Sequence, residues 1–290
     1  MNRHSFPSAI RSFRESKNFQ HWLLAAGLVV VCLWSARMAQ VDLGSLLEER
    51  TLRNFVTFFA GAFPPDLSPD FLGFLIKPTI ETIQISILGT AIAVIIGFPL
   101  ALLGTATLAF RGVLHGREVA GAPARRAMRF MPYAASRALL SLFRSIPEFV
   151  WAFMFVKAVG LGPFPGVLAI GVSYGGMVGK VYSEILEVVD PQPIEALQAT
   201  GASRWQIVLY GFLPQAYPNF VSYTLYRWEC AIRASAVLGL VGAGGLGQQI
   251  EISMRMFDFH QIFTLVIILF ALVAGVDWLS ARIRQRVFAR

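Results

Sequence analysis

Apolar residues gather in long blocks along this chain, near His21 to Met38, Thr79 to Phe110, Ala138 to Val159, Gly166 to Tyr182, Asn219 to Leu240 and Gln261 to Leu279. A bilayer core is crossed by about 20 mostly apolar residues of helix. The pattern therefore predicts an all-α integral membrane protein with six transmembrane helices. From Thr79 onward the blocks follow closely, whereas the first stands apart. The expected division is a basic tail at 1–20, an anchor helix at 21–39, an outer segment at 40–77, a five-helix core at 78–282 and a second basic tail at 283–290. Phe63-Pro64-Pro65-Asp66 and Ser68-Pro69-Asp70 read as turns within the outer segment. The first block is too long, and too poorly followed by a small-residue cleavage site, for a removable signal peptide, and reads as a retained anchor.

Composition agrees with lipid as the solvent. The chain of 290 residues is 56% hydrophobic and 14% charged, with a mean hydropathy of +0.59, against about 25% charged in soluble domains. The net charge of +8 raises nucleic acid as a partner, but its distribution argues for lipid instead. Arg3, Arg11, Arg14 and Lys17 precede the first block, Arg111, Arg117, Arg125, Arg126 and Arg129 lie between the second and third, and Arg282, Arg284, Arg286 and Arg290 follow the last. In a six-span chain these segments share one side, so the positive-inside rule puts both termini and the 111–137 loop in the cytoplasm. Cys32 and Cys230 fall inside apolar blocks, and His4, His21, His115 and His260 are scattered without metal-ligand spacing. With no Gly-rich phosphate loop carrying a Lys, nothing here reads as a catalytic set or a metal site.

Two blocks carry helix breakers at mid-depth, Gly97-Phe98-Pro99 and Ser145-Ile146-Pro147-Glu148. In lipid the freed backbone groups must be satisfied within a bundle or a wet cavity, and the first pair reads as close helix packing. Ionisable residues inside the blocks cost about 2.5–3.5 kcal/mol each on insertion scales. Arg144 and Glu148 are four apart, as are Glu229 and Arg233, so each pair can meet on one helix face. They read either as buried ion pairs or as part of a translocation pathway. Arg227 has no such neighbour. It would pair with Glu148 across helices or stand free beside the pathway. Lys157 reads as snorkelling to the interface.

Between the fourth and fifth blocks lies Glu195-Ala196-Leu197-Gln198-Ala199-Thr200-Gly201-Ala202-Ser203-Arg204-Trp205-Gln206-Ile207-Val208-Leu209-Tyr210-Gly211-Phe212-Leu213-Pro214. Asp190, Pro191 and Pro193 mark a helix start. Gly201 can close that helix in a left-handed cap, and Ala202-Ser203-Arg204 opens a second helix that runs to Leu213-Pro214. This spacing resembles the EAA loop of type I ATP-binding-cassette importer permeases. The resemblance implies that Glu195, Ala196, Gly201, Leu213 and Pro214 couple the chain to an ATP-binding subunit.

The segments Glu81 to Thr90, Arg144 to Trp151, Val159 to Phe164, Ser222 to Glu229 and Val237 to Gly247 are similar to phosphonate permeases of the PhnE type, a group that includes phosphite permeases. That family implies two ATP-binding subunits that hold ATP and Mg, so that this chain carries no cofactor and no enzyme activity of its own. It implies a periplasmic phosphonate- or phosphite-binding protein, a bacterial inner-membrane location and, by symmetry, a homodimer of permease chains. A guanidinium such as Arg227 suits a phosphorus oxyanion. The glycine run with Gly242, Gly244 and Gly245 reads as an outer gate or as a plain connecting turn. A permease for another small solute such as methionine, or a secondary transporter, is the alternative.

Overall fold

The computed structural model describes residues 7–40, 42, 44, 48–109 and 123–288. Their regular structure is helical: α1 Pro7–Met38, α2 Glu49–Ala62, α3 Pro69–Leu103, α4 Ala106–Ala109, α5 Pro123–Ser145, α6 Glu148–Val159, α7 Pro163–Glu187, α8 Pro191–Ala199, α9 Arg204–Ile207, α10 Leu213–Gly239, α11 Gly245–Arg255 and α12 Phe259–Phe288. Arg3, Arg111, Arg117 and Arg290, on which the expected orientation leans, lie outside the described residues.

The chain forms two units, Met1–Ala60 and Gly61–Arg290. In the first, α1 is apolar from His21 to Met38 with none of that stretch buried, as befits a helix whose surroundings are lipid. Cys32 is accordingly exposed and free, while Cys230 is half-buried. The described part of the 40–77 segment is more helical than its turn signals suggested. Leu52, Phe55, Val56 and Phe59 of α2 recur at helical spacing, and α3 opens at Pro69, a first-turn position where the missing N–H removes no helical bond.

In the second unit α7 is the central helix, with Ile170, Val178 and Leu186 fully buried. It crosses α3 through glycines. A Cβ on Gly97 would lie 2.8 Å from the Gly175 carbonyl oxygen and 2.9 Å from the Gly179 nitrogen, and one on Gly89 would lie 2.7 Å from Ile170. Small residues at such crossings let backbones approach closely where lipid supplies no hydrophobic drive. Gly176 does the same towards α5, where a Cβ would meet the Leu140 carbonyl oxygen at 2.8 Å.

Among the described residues the expected count of six spans is not reached on length and hydropathy: four helices qualify, α1, α3, α7 and α12, and the pair Phe130–Ser145 with Glu148–Val159 makes a fifth bent by 88°. The expected single helix from Ala138 to Val159 is thus two. Pro147 caps the second, and proline disfavours a helical conformation at the residue before it, Ile146. The remaining expected span lies in α10, whose 27 residues include Arg227, Glu229 and Arg233.

Candidate functional site

The 190–214 segment folds as a helix, a turn and a second helix. Asp190 accepts the Gln192 N–H at 3.0 Å and so caps α8. At its other end Gly201 has φ +79°, its N–H bonds the Gln198 carbonyl at 2.9 Å, and the Ala202 N–H bonds the Leu197 carbonyl at 3.3 Å. Those two bonds constitute a Schellman closure. Ser203 then opens α9 with a capping box: its N–H reaches Gln206 Oε1 at 2.7 Å, while its hydroxyl receives the Gln206 N–H. Ile194 and Ile207 turn inward. Glu195, Ala196, Ala199, Gly201 and Arg204 are exposed, as is Trp205 at 72%. The result is a small, firmly capped knob whose outer face is polar and small apart from one indole.

The second helix does not end at Leu213-Pro214 as expected. A π turn, Val208–Phe212, carries it into α10, with the Leu213 N–H bonded to the Val208 carbonyl five residues back. The wider turn takes up the register change that Pro214 demands. The second helix of the knob, α9, and the long helix α10 are therefore one continuous rod.

Near the middle of α10, roughly 21 Å from its start at 1.5 Å per residue, stands Arg227. Its Nε donates to the Tyr223 hydroxyl at 2.8 Å, and its guanidinium lies 5.2 to 5.5 Å from the ring centroids of Tyr174, Tyr223 and Tyr226. Among the described residues no carboxylate pairs with it. Arg227 lines an open cavity of about 440 Å³ together with Arg144, Lys180, Glu184 and Tyr223. The sequence reading named Arg144 and Arg227 and missed Lys180 and Glu184, which form an ion pair one helical turn apart on α7. Their spacing of four was visible, but the apolar block ended at Tyr182 and so separated Lys180, inside it, from Glu184, outside it.

Neither expected helical ion pair forms. Arg144 and Glu148 fall on opposite sides of the 88° break, and no ion pair joins them among the described residues. Glu229 is 8% exposed, and its Oε1 lies 2.9 Å from the Arg284 guanidinium of α12, close enough for an ion pair although the approach is off hydrogen-bond geometry. Arg233 is exposed and only grazes Cys230 Sγ at 3.9 Å. The neighbouring helix, not the next turn of the same one, supplies the partner. A further pair went unread: Arg137 donates to Glu187 at 2.6 Å and to the Gly104 carbonyl at 2.7 Å, while Glu187 also accepts the Ala106 N–H at 2.9 Å. This cluster ties α3, α4, α5 and α7 together just before Asp190. Lys157 sits 5.7 Å above the Phe153 ring.

The glycine run becomes a tight corner between α10 and α11. Gly242, Gly244 and Gly245 have φ of +88°, +76° and +72°. Glu81 Oε2 accepts the Gly245 N–H at 3.2 Å, and Thr82 Oγ1 accepts the Leu246 N–H at 2.9 Å. The Glu81 to Thr90 stretch thus fastens this corner to α3, and Ser86 adds a bond from Trp228 Nε1 at 3.2 Å.

Residues 119–289 match the family described as the inner membrane component of binding-protein-dependent transport systems. The phosphite transport system permease protein PtxC of Stutzerimonas stutzeri is 36% identical over 89% of this chain and 86% of its own length. This chain belongs to that permease family. It is the membrane-spanning subunit of an ATP-binding-cassette importer and not an enzyme in its own right. The phosphate-import permease protein PhnE of Mycolicibacterium smegmatis is 32% identical over 80% of this chain and 40% of that one. An inward-facing MetNI methionine ABC transporter shares the permease fold, with a TM-score of 0.62 at 26% identity over 76% of this chain and 99% of the other.

Proposed function

We propose that this permease conducts a small phosphorus oxyanion, phosphite or a phosphonate, across the bacterial inner membrane. The observation that carries the reading is Arg227, a guanidinium at mid-helix that lines an open cavity with only phenolic partners among the described residues. An intramembrane charge of this kind is costly and marks a pathway, and its planar fork matches the paired oxygens of a phosphorus oxyanion. The names of the relatives PtxC and PhnE point the same way.

The exposed face of Glu195, Ala196 and Gly201 is the surface on which an ATP-binding subunit docks, and the π turn at Val208–Phe212, running into Leu213 and Pro214 at the start of α10, carries its motion into that helix. Each chain offers one such face. A pair of ATP-binding subunits therefore calls for two permease chains, this one with its copy or a paralogue, and a soluble receptor outside. Basic residues flanking the spans support cytoplasmic termini. The corner at Gly242, Gly244 and Gly245 closes the outer end of the pathway.

The test is ATP-driven uptake of phosphite, with methionine as the comparison solute, by the complete importer in proteoliposomes. Arg227→Met should abolish phosphite uptake with assembly intact, and Arg227→Lys should keep part of it. Glu148→Gln added to Arg227→Met should restore nothing, because the two residues are not paired. Full phosphite uptake by Arg227→Met, or uptake of methionine in place of phosphite, would overturn the reading.

A further inference from the structure

Lys180 and Glu184 of α7 line the same cavity as Arg227. We propose that they form an exchangeable ion pair: Lys180 is a second holder of the oxyanion, and Glu184 is the internal anion that the solute displaces. The inference rests on the reading that a phosphorus oxyanion crosses this cavity.

The cavity wall carries three cations, Arg144, Lys180 and Arg227, and one carboxylate, Glu184. Arg144 has no ion-pair partner among the described residues, and Arg227 is held in place by Tyr223 and the aromatic faces around it. Lys180 alone of the three already has an anion, bonded one turn further along α7. Its side chain is 25% exposed and that of Glu184 50%. Where the cavity is water-filled, a pair this little covered is weakly held. A lysine ammonium is a point charge on a flexible stem, unlike a clamped guanidinium, so it can swing from Glu184 to an anion lying between it and Arg227. At about 440 Å³, against about 30 Å³ for a water's share of the liquid, the cavity has room for a hydrated oxyanion.

Exchange answers a problem that every pathway built of fixed cations has. A permeating ion must be bound well enough to enter and loosely enough to leave. Three unopposed cations would hold a doubly charged anion too firmly. Glu184 competes for one of them and, once displaced, repels the solute from the same wall. It therefore lowers affinity and speeds release, while Lys180 raises affinity.

The experiment uses the permease assembled with its ATPase in phosphatidylcholine nanodiscs, which offer no anionic headgroup, and inorganic phosphite as the probe. Phosphite binding is titrated without nucleotide, and ATP-driven uptake is measured in phosphatidylcholine proteoliposomes with the receptor present. Glu184→Gln should tighten phosphite binding about fivefold, the scale set by a partly exposed ion pair, and should lower the maximal uptake rate. Lys180→Met should weaken binding by a similar factor, Lys180→Arg should recover most of that loss, and the Lys180→Met/Glu184→Gln double variant should bind more tightly than Lys180→Met, because the repulsion from Glu184 goes with its charge. Opposite signs for the two single variants are a result that a merely structural pair cannot produce. If Glu184→Gln weakens binding or leaves it unmoved while Arg227→Met still abolishes uptake, the exchange is wrong and the oxyanion reading stands. If the wild-type importer takes up no phosphite, both fail.

Discussion

Two glycine corners, one at Gly201 and one at Gly239 to Gly247, use the same residue for different physical reasons. At Gly201 the backbone is left-handed at φ +79°, yet a Cβ there would meet nothing within 4 Å. Glycine serves only the dihedral, and the surrounding space is open. At the second corner space is the issue as well. A Cβ on Gly239 would lie 2.5 Å from the Gln248 nitrogen, one on Gly245 would lie 2.7 Å from Thr82 Oγ1, and one on Gly247 would run into the Ala236 carbonyl. The first corner is open, with its caps satisfied and free space around it. A closed corner is a crossing of helices that cannot be parted without unpacking the bundle.

Substitutions can break that contrast, beginning with the strongest. Gly247→Val should leave no monodisperse assembled permease on gel filtration, since forcing a side chain into packed backbone costs about 1–3 kcal/mol and more where nothing can yield. Recovery at wild-type yield would mean that α10 and α11 can separate freely.

Thr82→Val keeps the shape of a fully buried side chain but removes the acceptor of the Leu246 N–H. An orphaned buried donor costs about 1–3 kcal/mol, so the thermal midpoint of the assembled permease should fall while the protein still folds. An unchanged midpoint would show that the corner is held by packing alone.

Gly201→Val should insert and assemble at near wild-type levels, because its cost of about 1–2 kcal/mol for a left-handed backbone falls on an exposed turn. ATP-driven uptake should nonetheless drop steeply. Gly201→Asn, which tolerates this conformation, should keep most of it. Equal uptake by the Val and Asn variants would remove the conformational argument.

The mildest change is Ser203→Ala, which loses one cap bond worth about 1 kcal/mol. Stability of the whole should hardly move, while ATP hydrolysis becomes less tightly coupled to uptake. A global destabilisation instead would merge the open corner with the closed one.

The capped knob was legible because its signals are local. Asp190 before two prolines, Gly201 at the end of a small helix and Ala202-Ser203-Arg204 at the start of the next each act within one turn of backbone, and they fold as their spacing says. The same local logic failed where a partner had to be chosen. Spacing of four suggested that Glu229 meets Arg233, but α12 lies against that face of α10 and brings Arg284 within 2.9 Å. Arg137 and Glu187 are 50 positions apart, and only the packing of α5 on α7 brings them together. Glu81 and Gly245 are 164 positions apart.

The sequence by itself determined that this chain lives in lipid, that it presents a capped knob between its fourth and fifth apolar blocks, and that Arg144 and Arg227 are costly charges within apolar blocks. Hydropathy, dihedral preference and the cost of burying charge are properties of residues and their near neighbours. Tertiary structure alone decided that Glu229 answers to Arg284, and that Arg144, Lys180, Glu184 and Arg227 share one cavity. Those outcomes depend on which helices become neighbours, and the neighbours are set by where glycines such as Gly97, Gly176 and Gly179 let two backbones touch.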